Sequence, residues 1–471
     1  MNAGLPSRWM VSAAHKSSGK TTVSLGLAAA LAARGLAVRT FKKGPDYIDP
    51  MWLARASGAP CFNLDLHLMR GDEIDALFAR HAAGADAAFV EGNKGLHDGV
   101  ALDGSNSNAA LARRLGLPVV LVIDARGMTR GVAPLLLGYQ AFDRDVRIAG
   151  VILNQVGGAR HEGKLRAVIE QYTDVPVLGA IGHDRRLALP ERHLGLMPDR
   201  EMGDAAARVA EIGRVVGSQV DLDRLLEAGR GAAPLPAAPT PEAARAPDLR
   251  LGVARDAAFG FYYPDDLAAL EAAGAELVFF DTLRDARLPA VDGLVIGGGF
   301  PESFMAELEA NAPLRAELRA AIEAGLPVYA ECGGLMYLAR SLRWHERRAE
   351  MVGAIPGDAV MHERPVGRGF VAVVETADHP WGAGAERHGH EFHHSSLDGL
   401  DPAVGFAYDV RRGHGVDGRH DGVRVHNVVA SYLHQRSTGG NRWAQRFVAF
   451  VRAHREARRA AHRAAAEAVP A

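Results

Sequence analysis

Cys332 stands in Leu326-Pro327-Val328-Tyr329-Ala330-Glu331-Cys332-Gly333-Gly334-Leu335-Met336, an apolar run that meets a thiol and then two glycines. A strand, a nucleophile, a tight turn and a helix in that order make a nucleophile elbow, which exposes the side chain at a helix N-terminus. That position favours thiolate over thiol. Packing in a core is the ordinary use of a lone cysteine, but it does not call for flanking glycines. Upstream, Gly297-Gly298-Gly299-Phe300-Pro301-Glu302 follows another apolar run. Amides of Gly298 and Gly299, with that of Gly333, are candidates for an oxyanion hole and for holding the bound amide. A thiol nucleophile also needs a base. Of the later histidines, His434 has the best setting, at the end of the strand-like run Val428 to Leu433.

A second chemistry is written near the start of the chain. Ala14-His15-Lys16-Ser17-Ser18-Gly19-Lys20-Thr21-Thr22 lies between an apolar run and a long helical pattern. This is the setting of a phosphate-binding loop. Backbone N–H groups from Ser18 to Thr22 and the helix N-terminus cradle phosphate, Lys20 neutralises it, and Thr21 offers a hydroxyl to Mg²⁺. Ala14 occupies the place of the usual first glycine. Two further groups follow later strands: Lys43-Gly44-Pro45-Asp46-Tyr47-Ile48-Asp49-Pro50, and Glu91-Gly92-Asn93-Lys94-Gly95-Leu96-His97-Asp98-Gly99. In a parallel sheet the carboxyl ends of strands open on one crevice, so Thr21, Asp46 and Glu91 are expected to share one metal. For each acid alone, a turn or a helix cap is the competing reading. Asn154, after another strand, is a candidate for reading the nucleotide base, with loop capping as the alternative; Asp124 fits a turn as well as a site. His390-Glu391-Phe392-His393-His394 matches H-E-x-x-H in form. A zinc hydrolase needs that segment helical, and the surrounding glycines and serines argue against a helix.

These residues must be positioned by strands alternating with helices. Apolar runs at 9–13, 37–41, 87–90, 119–123, 148–153 and 175–181 alternate with helical stretches such as Thr21 to Arg34, ended by Gly35. Short continuous apolar strands between helices predict an α/β fold with a parallel sheet covered on both faces. Gly229 to Asp248 is rich in Pro and Ala, which marks a linker. Alternation then restarts at 249–254, 277–280, 294–296 and 328–330, with a strand- and loop-rich stretch from Met351 to Val429 and an Arg- and Ala-rich tail from Trp443. The expected division is a first domain over 1–228, a linker over 229–248, a second domain over 249–455 and a tail over 456–471. The formal net charge of −2 gives no electrostatic case for a nucleic-acid partner. Two cysteines exclude a disulfide framework and point to a reducing compartment. Met1 to Lys16 holds no long apolar stretch, and no apolar run reaches membrane-spanning length, so a cytoplasmic protein without a membrane partner is expected.

In this order the phosphate loop, GPDYIDP, EGxxGLxDG, GGGFPE, ECGGLMYL, GHEFHxS and ASYLH resemble the cobyrinate a,c-diamide synthases over nearly the whole chain. The resemblance implies an ATP-dependent synthetase domain akin to dethiobiotin synthetase, followed by a class I glutamine amidotransferase domain. It implies Cys332 as nucleophile and His434 as its base. It further implies ATP, glutamine and a tetrapyrrole-derived polycarboxylate as substrates, with magnesium as cofactor, and a homodimer is compatible with it. Asp49, Asp98 and His97 are then the candidates for orienting the acid substrate or ammonia, which would travel by a shielded path to an acyl phosphate. The chain also departs from the family. Class I triads carry Glu two residues after the base, where Arg436 stands, so a Cys–His dyad is expected. Lys16-Ser17 in the phosphate loop, and Asn93, Lys94 and His97 in the acidic motif, fit a branch with another macrocycle, such as the sirohaem-amidating enzymes. The remaining alternatives are a cobyric acid synthase and a phosphate-loop ATPase switch whose second domain is inactive.

Overall fold

A computed structural model describes residues 6–192, 195–234, 243–382 and 384–467. Residues 235–242 of the expected linker, the first five residues and the last four lie outside the described residues. The chain forms two compact units, Met1–Thr240 and Pro241–Ala471.

In the first unit the strands are β1 (Ser7–Ala13), β2 (Val38–Lys43), β3 (Phe62–Leu64), β4 (Ala87–Glu91), β5 (Val119–Asp124), β6 (Ile148–Val156) and β7 (Val177–Gly182). They form one seven-stranded sheet in the order β3-β2-β4-β1-β5-β6-β7, parallel throughout. Period-two alternation sends successive side chains to opposite faces. Met10, Val90, Leu121 and Leu153 pack with Ile74, Phe78 and Leu165 on one side. Trp9, Val11, Phe89, Val122 and Ile152 pack with Leu25, Leu31 and Val216 on the other. Burial on both faces explains the near-continuous apolar runs. The short β3 carried no signal distinct enough to mark it in the sequence. A small ribbon pairs β8 (Glu191–Arg192) with β9 (Gly195–Leu196). The helix Leu222–Arg230 continues two residues into the stretch expected to be linker, because Gly229 lies against β1: a Cβ there would fall 2.2 Å from the Ser7 Oγ.

In the second unit the strands are β10 (Leu249–Ala254), β11 (Phe259–Phe261), β12 (Ala275–Phe280), β13 (Gly293–Ile296), β14 (Gly298–Gly299), β15 (Val328–Glu331), β16 (Ala339–Trp344), β17 (Arg347–Glu350), β18 (Ile355–Met361), β19 (Gly367–Glu375), β20 (Glu386–His393), β21 (Ser395–Asp398), β22 (Gly405–Arg412), β23 (His420–Val425) and β24 (Val428–Ser431). A nine-stranded sheet runs β12-β10-β13-β15-β24-β23-β22-β19-β20. It is parallel from β12 to β24 and antiparallel beyond. Alternation again divides the core. Leu294, Ile296, Val328 and Ala330 face Leu314, Leu318 and Ile322, whereas Val253, Val295 and Tyr329 face Trp443, Phe447 and Val451 of the closing helix Trp443–Glu467. A four-stranded sheet, β17-β16-β18-β21, completes the unit. Among the described residues no helix is long and apolar enough to cross a membrane.

The helix after the phosphate loop, Lys20–Ala33, is held against the helix Ala205–Gln219 by small residues. A Cβ on Gly26 would lie 2.3 Å from a Val216 methyl, whereas one on Gly138, in the helix Val132–Phe142, would meet nothing within 4 Å. Gly26→Leu is therefore expected to destabilise the protein by about 1–3 kcal/mol through overpacking, and Gly138→Ala to be neutral or mildly stabilising. Thermal unfolding of the two variants beside the parent checks the contrast.

Candidate functional site

In the first unit, β1 delivers the chain into the loop His15–Gly19 and the helix beginning at Lys20. Ser17 (φ 65) and Gly19 (φ 81) turn the backbone through the left-handed region. Ala14 is not among the residues with positive φ, so it can stand where other loops use glycine. A Cβ on Gly19 would fall 2.1 Å from the Asn154 amide nitrogen, which donates to the Ser18 carbonyl at 2.9 Å. Asn154 is buried and its amide holds the phosphate loop through this contact. Thr22 sits half-buried in the first helical turn, beside the site.

Lys42, at the end of β2, was not singled out in the sequence and sits at the centre of the acids. Its Nζ donates to Asp49 Oδ2 at 2.5 Å and Glu91 Oε1 at 2.9 Å, and lies 3.9 Å from Asp46 Oδ2. Thr21 Oγ1 donates to Glu91 Oε1 at 2.8 Å, with Asp49 Oδ2 at 3.4 Å. The expected trio of Thr21, Asp46 and Glu91 thus comes together, with Asp49 nearer the centre than Asp46. The other oxygen of Asp46 accepts the N–H groups of Ile48 and Asp49, so Asp46 also caps the next helix. Although burial opposes it, the carboxylates raise the Lys42 pKa well above its ordinary value. Burial, and then the Lys42 charge, lower that of Lys20, a shift that a nearby anion would oppose. Asp49 is pulled below the usual carboxylate range by Lys42 against the effect of burial. Asp46 is shifted upward by desolvation in the crowded site and by the Asp49 charge.

A hard divalent cation fits this corner. Glu91 Oε2 is buried with no hydrogen-bond partner, and the other oxygen of Glu91 accepts from the Thr21 hydroxyl. Among the described residues no three His, Cys, Asp or Glu side chains form a metal cage. Mg²⁺ needs none, since it takes one or two carboxylates and completes its shell with water and phosphate. Asp98 and His97 lie further out. Asp98 is exposed and accepts the Gly95 N–H at 3.0 Å. The His97 ring stacks on Tyr139 at 5.4 Å and meets Phe142 edge-on at 4.8 Å, and Tyr139 in turn donates to the Ala14 carbonyl. Asp124 is taken up by Arg126 in a turn.

In the second unit, Cys332 has φ 47 and ψ −101, a strained conformation for a residue with a Cβ. The turn closes because its neighbours have none. A Cβ on Gly333 would lie 2.9 Å from the Gly299 amide nitrogen, one on Gly334 2.2 Å from the Ile296 carbonyl oxygen, and one on Gly298 2.7 Å from the His434 ring. Gly298, Gly299, Gly333, Cys332 and His434 are therefore in one place, delivered by the ends of β13, β15 and β24. The Gly297 N–H is already given to Tyr262 Oη at 2.8 Å.

The His434 imidazole hydrogen-bonds the Cys332 sulfur and the Glu331 carboxylate; burial alone would lower its pKa, but these contacts raise it to about 10. A group so raised keeps its proton through neutrality. The stability it adds is whole below its unfolded pKa and is lost as pH rises through the folded one. Its Nδ1 lies 3.2 Å from Glu331 Oε2, a partner that no familiar triad spacing would have flagged. Arg436 is turned away onto Asp265 at 2.8 Å. His390 and His393 lie in β20, not on a helix. His390 stacks on His434, His393 on Tyr432, and His394 contacts the His362 carbonyl, so the zinc-hydrolase arrangement does not form.

A phosphate loop with an acid–lysine cluster, followed in the same chain by a cysteine–histidine elbow under a glycine turn, defines a two-domain glutamine-dependent ligase. Residues 10–196 match the CobQ/CobB/MinD/ParA nucleotide binding domain, and residues 250–441 match the CobB/CobQ-like glutamine amidotransferase domain. Proteins named cobyrinate a,c-diamide synthase are similar over almost the full length. That of Magnetococcus marinus is 47% identical, covering 94% of this chain and 97% of its own. That of Methanosarcina acetivorans is 42% identical, covering 92% and 93%. That of Listeria monocytogenes is 40% identical, covering 90% and 95%. The chain belongs to the cobyrinate a,c-diamide synthase family.

Removing one partner of a buried charge cluster leaves the others uncompensated. Lys42→Met is expected to cost about 3–5 kcal/mol of stability and to abolish nucleotide-dependent turnover. Urea unfolding, with turnover measured on the folded fraction, checks both.

Proposed function

We propose that this protein converts the a and c acetate carboxylates of cobyrinate to amides, using ATP and glutamine, through an acyl phosphate. The observation that carries the reading is the Cys332–His434–glycine constellation following a Lys20–Lys42–carboxylate phosphate site in one chain of this family. The division of labour follows the sequence, with synthetase chemistry in residues 1–228 and glutaminase chemistry in residues 249–455.

In the first unit the amides of Ser18, Gly19, Lys20, Thr21 and Thr22 hold the phosphates, and Lys20 and Lys42 balance their charge. Mg²⁺ accompanying the nucleotide would be held by Thr21, Glu91 and Asp46, and supplies charge neutralisation at the transferring phosphoryl group. The substrate carboxylate attacks the γ-phosphorus and ADP leaves; positioning and electrostatics account for most of the acceleration. Asp49 orients Lys42, and His97 and Asp98, at the rim, orient the acid and incoming ammonia.

In the second unit the Cys332 sulfur attacks the glutamine amide carbon, and the amides of Gly298, Gly299 and Gly333 receive the developing oxyanion. His434 gives its proton to the departing nitrogen, ammonia leaves, and water hydrolyses the thioester to glutamate. Ammonia then attacks the acyl phosphate carbon and expels inorganic phosphate.

Incubation with cobyrinate, ATP and glutamine should yield the a,c-diamide by mass spectrometry; a product lacking either amide would refute the assignment. Cys332→Ser should abolish glutamine-dependent amidation and leave ammonia-dependent amidation intact. Lys20→Ala should abolish amidation from both nitrogen sources.

A further inference from the structure

We infer that Glu331, the residue immediately before the nucleophile, is the acidic member of the glutaminase triad and positions His434. The inference rests on the glutaminase half of the proposed function. Its starting point is a vacancy in the sequence, since Arg436 stands where a class I acid is expected. The structure places Arg436 on Asp265, with Nη2 and Nε at 2.8 and 3.3 Å from Oδ2, and a different carboxylate beside the base.

That carboxylate is built in. Glu331 is 6% exposed. Its Oε1 accepts from the Tyr329 hydroxyl at 2.5 Å and from the Gln435 N–H at 3.0 Å. Tyr329 is stacked on Trp443 at 4.5 Å, and the Gln435 side chain donates to the Tyr329 and Tyr408 hydroxyls and accepts from Asn441. With one oxygen fixed by two donors, the other lies 3.2 Å from His434 Nδ1. The imidazole is held on its other side too. Its backbone is bridged in both directions to His390, at 2.8 and 3.1 Å, and the two rings stack at 4.9 Å. A carboxylate at Nδ1 requires the proton there, which leaves Nε2 for the sulfur.

The steps balance with Glu331 ionised throughout. His434 Nε2 already holds the proton of the thiol when the carbon–sulfur bond forms, and gives it to the nitrogen as the carbon–nitrogen bond breaks. It next takes a proton from water as the thioester is hydrolysed, which restores the protonated imidazole as the carbon–sulfur bond breaks. Glu331 transfers no proton; it fixes the tautomer and stabilises the imidazolium, as an orienting acid does in other triads.

Glutamate release by the full chain is the readout, because it does not depend on the macrocycle. Glu331→Gln keeps shape and removes the charge. Its kcat should fall about 10³- to 10⁴-fold, with little change in KM for glutamine and full ammonia-dependent amidation. The alkaline limb of its residual pH profile should move to lower pH, since a contact that raises the His434 pKa is lost. Glu331→Asp should recover part of the rate. A Gln variant within about threefold of the parent, or one with an unmoved alkaline limb, would overturn the inference. If the Gln variant does not fold, Glu331→Asp carries the same test: a parental rate and profile overturn it. Parent enzyme that releases glutamate but does not amidate cobyrinate would count against the substrate reading alone.

Discussion

Parallel strands align their carboxyl ends on one edge of a sheet, and both candidate sites depend on that constraint. In the first unit β1, β2 and β4 are hydrogen-bonded neighbours. The residues at or just beyond their ends are the phosphate loop, Lys42 and Glu91. In the second unit β13, β15 and β24 are neighbours, and their ends release the triple glycine, Cys332 and His434. Without parallel pairing the same residues would be dispersed over opposite edges. Brought together by backbone hydrogen bonds, they need no metal cage or disulfide to hold their relative positions.

The two edges solve different electrostatic problems. The first must receive a polyanion, so it stores cations at some cost. Lys20 is buried without full compensation, and Lys42 is stabilised only because Asp49 and Glu91 lie within 2.9 Å. The carboxylates raise the Lys42 pKa while Glu91 Oε2 keeps no hydrogen-bond partner. In the proposed reaction the second edge develops and then relieves a single negative charge. Backbone amides and one imidazole converge there, and the imidazole lies 3.2 Å from Glu331, which ends the strand that precedes Cys332.

Glycine is used in the second unit as an absence of atoms. Gly298, Gly333 and Gly334 allow the elbow, the triple-glycine turn and the His434 ring to approach within distances that any Cβ would forbid. The φ of 47 at Cys332 is tolerated because packing on both sides over-determines it. The elbow is therefore shaped as much by what the chain leaves out as by the residues it carries.

The amino-acid sequence determined the periodic features by itself. Continuous apolar runs gave the central strands to within a few residues, because strands buried on both faces leave that pattern whatever surrounds them. Gly35 fixed a helix end, and the local motifs around Lys20 and Cys332 marked the sites, because a phosphate loop and an elbow are made by residues adjacent in the chain. Only tertiary structure decided which distant side chains complete them. Lys42 lay just past the apolar run 37–41 with nothing to mark it until β2 was laid beside β4 and its ammonium met Glu91. Asn154 gave no sign of its contact with Ser18 until β6 placed its amide beside the phosphate loop. Glu331 lay between the apolar run 328–330 and the thiol with no role of its own, and its contact with His434 spans about a hundred residues of chain. Such contacts have no sequence spacing of their own; they arise where separate strands end side by side.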